Sequence, residues 1–151
     1  VLLTLGPVLY VRLRIGHYAA LHIPSIAEAG WRRRAASRAT GLLRQAERLA
    51  ATDALGAHRT LCEALKGYLG ERFTVPAAGL TPADARKLLI EKTGNAALAE
   101  TFSGILERSF NATFTSAAAN GEVAGHDSQA AAHVVQEIEV ALRSEPREKR
   151  S

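Results

Sequence analysis

His58 and Cys62 stand four residues apart, a spacing that puts both on one face of a helix and would suit a thiol with a neighbouring base. Two such groups do not make a metal site, and Cys62 beside Leu61 reads more simply as a small core or boundary residue. Cys62 is the only cysteine, which excludes an intramolecular disulfide and any paired-cysteine metal site. His126, Asp127 and Ser128 have the side-chain types of a triad. Residues adjacent in sequence do not converge as a triad must, so Asp127 is expected to cap a helix instead. The acidic pairs Glu63 with Glu71 and Glu91 with Glu100 lack a surrounding constellation and are expected on solvated helix faces. Glycine-rich phosphate loops, HExxH and CxxC are absent from the sequence. No catalytic, cofactor or metal site is therefore expected, and the chain is not expected to be an enzyme. A thiol-based sensor or enzyme using Cys62 and His58 is the alternative from another class.

A second cluster is cationic. Trp31, the only tryptophan, precedes Arg32, Arg33 and Arg34, with Arg38, Arg44 and Arg48 further along. Such a face can meet nucleic-acid phosphates, anionic lipid headgroups, or simply water. No aromatic-rich sheet or other recognition motif accompanies it, so nucleic acid is not the expected partner.

The elements that must position these residues are helices. Hydrophobic residues make up 47% of the 151-residue chain and aromatic residues only 5%, so the core must be built from Leu, Ala, Val and Ile. Ala and Leu favour helix. From Trp31 to Thr52, Ala35, Ala39, Leu42, Ala46 and Leu49 recur at spacings of three and four. Ala54 to Arg72 follows, capped by Thr52 or Asp53, with a stripe of Leu61, Leu65, Tyr68 and Leu69. Thr81, Pro82 and Asp84 open a third helix that Gly94 closes, with Ala85, Leu88 and Leu89 inward. Asn95 caps a fourth helix to about Phe114, lined by Leu98, Phe102, Ile105, Leu106 and Ser109. Ala117 to Gly125 reads as a loop, after which Asp127 caps a last helix carrying Val134, Val135, Ile138, Ala141 and Leu142. The expected class is all-α, a helical bundle of about five helices over residues 31–144, in which Leu65, Leu69, Leu88, Leu106 and Ile138 share one core. Residues 145–151 read as a charged, disordered tail.

Val1 to Val11 is uncharged and mostly apolar, and Arg12 and Arg14 follow at once. The run is shorter than the roughly 20 residues a bilayer span needs. Its basic residues come after the apolar run, opposite to a signal peptide. Residues 1–15 are thus expected to be the end of a transmembrane helix with its cytoplasmic flank, and 16–30 a linker containing Pro24. Arg12, Arg14, Trp31, Arg32, Arg33 and Arg34 are then membrane-proximal, and the bundle is cytoplasmic. The chain starts at Val1 and contains no Met, as expected of a fragment or mature piece.

The segment ALKGYLGERFTVPAAGLTPADARKLL, Ala64 to Leu89, resembles the cytoplasmic C-terminal region of the aerotolerance (oxygen tolerance) protein BatD family. The likeness is carried by Tyr68-Leu69, Arg72, Pro76, Leu80-Thr81-Pro82 and Leu88-Leu89, and by Ile105-Leu106-Glu107 in the next helix. The Ala117–Gly125 stretch and the polar Thr93-Gly94-Asn95 turn depart from the family's pattern. The resemblance implies a bacterial inner-membrane protein linked to oxygen or stress tolerance, working beside MoxR-type AAA+ ATPases and membrane proteins with von Willebrand A domains. It transfers no catalytic residue. Under it, Lys66, Arg72, Leu80, Thr81 and Pro82 form the expected partner-binding region.

Overall fold

A computed structural model describes residues 24–115 and 119–144. The described residues form five α-helices and no strand: α1 (Pro24–Leu49), α2 (Ala54–Phe73), α3 (Pro82–Thr93), α4 (Ala96–Phe114) and α5 (Gly121–Ser144). None of these helices is long and apolar enough to cross a membrane. The expected transmembrane end with Arg12 and Arg14, the first part of the linker and the 145–151 tail lie outside the described residues.

Local chemistry sets most helix ends. The Asp53 carboxylate accepts from the Gly56 amide at 2.9 Å and starts α2. At α3 the Thr81 hydroxyl accepts from the Asp84 amide at 3.2 Å while the Asp84 carboxylate accepts from the Thr81 amide at 3.1 Å, a closed capping box with Pro82 just inside. The Thr81 backbone bond, then its hydroxyl, hold the Asp84 carboxyl below its ordinary value. Gly94 ends α3 at φ 65°, a left-handed conformation in which a side chain would be strained. Asn95 then accepts from the Leu98 amide at 3.2 Å and starts α4.

Helices α1 and α2 run antiparallel, as Arg38 pairs with Glu71 and Arg32 donates to Thr74. Helix α5 is antiparallel to α1, with Gln129 against Glu47, and to α4, with Asp127 against Arg108. Packing joins α1 to α2 and α5, and α4 to the same two, so α2 and α5 form the shared middle of an up-down-up-down bundle. The short α3 packs on α4 and, more lightly, on α5. The core contains Leu61, Leu65, Tyr68 and Leu69 of α2, Leu89 of α3, Phe102, Ile105 and Leu106 of α4, and Val135 and Ile138 of α5.

Several boundaries and phases differ from expectation. Pro24 does not interrupt a linker; it occupies the first helical position, where its missing amide costs nothing, and α1 runs unbroken from it. On α1 the large inward residue is Leu43; Leu42 and Leu49 lie half-buried at the edge. Leu88 packs against the core only partly, while Leu65, Leu69, Leu106 and Ile138 are fully buried. The largest correction concerns α5. Its cap is Asn120, whose side chain accepts from the amides of Glu122 and Val123 at 2.9 and 3.3 Å, so the Gly121–Gly125 part of the expected loop is helix. Asp127 is therefore a buried mid-helix residue, not a cap. A side chain at position 121 would put its Cβ 2.1 Å from the Ala50 carbonyl oxygen, so glycine there permits the close approach of α5 to the end of α1.

Candidate functional site

Of the residues singled out for chemistry, His58, Cys62, Asp127 and Ser128 are buried. His58 on α2 is 1% exposed, and its Nε2 lies 3.2 Å from the Asn120 carbonyl, which can only accept, so Nε2 carries the proton. Its Nδ1 is buried without a hydrogen-bond partner. This imidazole secures the chain entering α5. The Cys62 thiol is buried, and loss of solvation pushes its pKa up; nearby Lys66 opposes this and Glu63 adds to it. A raised thiol pKa is the reverse of what a nucleophilic cysteine needs.

His126, Asp127 and Ser128 do not converge either. Asp127 is 2% exposed and receives two bonds from the Arg108 guanidinium, Nε to Oδ2 at 3.0 Å and Nη2 to Oδ1 at 2.9 Å. This fork ties α4 to α5 and raises the guanidinium's pKa through the Asp127 hydrogen bonds. The Ser128 hydroxyl donates back to the Ala124 carbonyl at 2.7 Å within its own helix. His126 is exposed, its Nδ1 3.9 Å from Asp127. Among the described residues no group of three or more His, Cys, Asp or Glu side chains is placed to hold a metal.

A polar joint that the sequence pattern does not announce links α2 to α5. The Glu139 Oε1 accepts from the Tyr68 hydroxyl at 2.7 Å and from Arg72 Nε at 2.9 Å. Burial first, and the bond to Glu139 second, hold the Tyr68 phenol protonated far beyond its ordinary range. Arg72 is thereby committed to the bundle. Lys66, half-buried, donates to the Ala78 carbonyl at 3.4 Å and lies 5.7 Å from the centre of the Phe110 ring. Thr81 and Pro82 are engaged in capping α3, and Leu80 is half-buried. Within the expected partner-binding region, Arg72 thus bonds α5, Lys66 the α2–α3 loop, and Thr81 caps α3. Of the acidic pairs expected to be solvated, Glu71 binds Arg38 at 2.9 Å and Glu100 binds Arg86.

A concave surface lies elsewhere, between the start of α4 and the C-terminal half of α5. It is a trough of about 460 Å³ lined by Asn95, Leu98, His133, Gln136, Glu137 and Val140 among others. Leu98 is nearly covered, whereas Val140 is 59% exposed. His133 and Glu137 pair across one helical turn at 2.8 Å beside it. Comparison with protein-family models, with curated proteins and with solved structures finds no match for this chain.

Proposed function

We propose that the bundle is a non-enzymatic docking module that binds another protein through the trough between α4 and α5. The observation that carries this reading is the pairing of an exposed Val140 with a rim of Asn95, Gln136 and the His133–Glu137 pair, an apolar contact with polar groups around it. Lys66 and Arg72, committed to internal contacts, make a weaker contact surface than their charge suggests. The partners follow from the BatD resemblance alone: a MoxR-type AAA+ ATPase or a von Willebrand A membrane protein at the bacterial inner membrane, with the bundle on the cytoplasmic side.

The test is capture of such an ATPase or von Willebrand A protein by the full chain, compared with Val140→Asp. Loss of capture with unchanged helix content supports docking at the trough. Equal capture by both proteins removes the trough from the reading, and turnover of a substrate by the chain itself removes the docking role.

A further inference from the structure

The arginines of α1 divide into two sets that the sequence alone does not separate. Arg32 donates to the Thr74 hydroxyl and Arg38 pairs with Glu71, so these two turn toward α2. Arg34, Arg44 and Arg48 are exposed on the opposite side of the helix. Positions 34, 37, 41, 44 and 48 recur at helical spacing along the face away from Ala35, Ala39, Leu43 and Ala46. The face extends about 21 Å at the α-helical rise. Between its arginines it carries only Ser37 and Gly41, both exposed. Nothing lies within 4 Å of a Cβ built at Gly41, so packing does not call for glycine there. From Trp31 to Ala46 the sequence has five arginines and no acidic residue. Glu47, the next acid, is bonded to Gln129 of α5.

We propose that this outer face of α1 is a contact surface for an anionic lipid bilayer, on which the helix lies flat. A straight row of cations on a helix whose other side is packed fits a flat, diffuse field of negative charge. Trp31, 55% exposed and one turn before Arg34, favours lipid, because an indole partitions into the headgroup region while the arginines meet the phosphates. The chain also enters α1 from a stretch, residues 1–23, whose only charged residues are Arg12 and Arg14. The proposal holds whether or not the α4–α5 trough binds a protein.

Trp31 is the only tryptophan, so its fluorescence reports the face directly. The full chain is mixed with vesicles of phosphatidylcholine containing phosphatidylglycerol, or of phosphatidylcholine alone. Binding to the anionic vesicles, a blue-shifted Trp31 emission and weakening by salt are expected. The triple variant Arg34→Gln, Arg44→Gln and Arg48→Gln should bind the anionic vesicles about a hundredfold more weakly, near fivefold for each arginine. These side chains are exposed, and circular dichroism checks that the variant keeps its helix content. Equal binding by variant and parent, or equal binding to both kinds of vesicle, overturns the proposal, because attachment would then come from apolar insertion. Preference for duplex DNA or RNA over anionic vesicles, lost in the same variant, overturns it in favour of nucleic acid.

Discussion

Along α1 the residues turned inward are Ala35, Ala39, Leu43 and Ala46, whereas α2, α4 and α5 turn Leu65, Tyr68, Leu69, Phe102, Ile105, Leu106 and Ile138 toward one another. The first seam is narrow and made mostly of methyl groups. The second interlocks long side chains. Each buried alanine methyl contributes on the order of 0.8 kcal/mol, against about 1.5–3 kcal/mol for a buried Leu or Phe. Small residues let α1 come close to its neighbours, and Leu43, the half-buried Leu42 and polar ties at the edges complete its attachment: Arg38 to Glu71, Arg32 to Thr74, and Gln129 to Glu47. Helix α1 is thus held by closely approaching small residues, and α2, α4 and α5 by interlocked long side chains. Native-state hydrogen exchange should show α1 amides opening at lower free energy than those of α2 and α4.

Four substitutions test that contrast. Leu106→Ala, in the centre of the interlocked body, should destabilise the whole protein by about 2–5 kcal/mol, read as a shift in the urea midpoint. Leu43→Ala should cost less and lower the exchange protection of α1 more than that of α4; equal loss in both helices would mean the two seams unfold as one. Gly121→Ala should cost about 1–3 kcal/mol, because its methyl meets the Ala50 carbonyl and forces α5 away from α1. An unchanged midpoint would show that this approach relaxes freely. Arg38→Ala should cost under about 1 kcal/mol, since the guanidinium is half-exposed and solvent screens the pair. A loss several times larger would make the edge ties, and not Leu43, the main hold on α1.

The helix ends that were legible are those written in neighbouring residues. Asp53, the Thr81-Pro82-Asp84 box and the Gly94-Asn95 stop and start all act within four positions of themselves, and all appear as expected. The start of α5 was not legible, because Gly121 and Gly125 look like loop residues until the Ala50 carbonyl is seen against the helix. Asp127 was misplaced for a related reason. A carboxylate near an apparent loop reads as a cap, and only the fold brings Arg108 to it. The phase error from Leu42 to Leu43 follows from a helix carrying adjacent leucines, where spacing alone does not choose between them. The Tyr68–Glu139–Arg72 joint is separated by 67 and 71 positions and leaves no local trace. Lys66 and Arg72 are expected in a partner-binding region, and the contacts they make to Ala78 and Glu139 lie 12 and 67 positions away in sequence.

The alternation of helix directions has a mechanical consequence. Because α1 and α5 run antiparallel as neighbours, with Glu47 beside Gln129, Pro24 and Ser144 lie at the same end of the bundle. A load applied between those two points would peel α1 from α5 starting at that end, breaking contacts in succession instead of shearing them all at once. The alanine-lined seam lies directly under that load, so under tension α1 is the part that would detach first, leaving α2, α4 and α5 still packed.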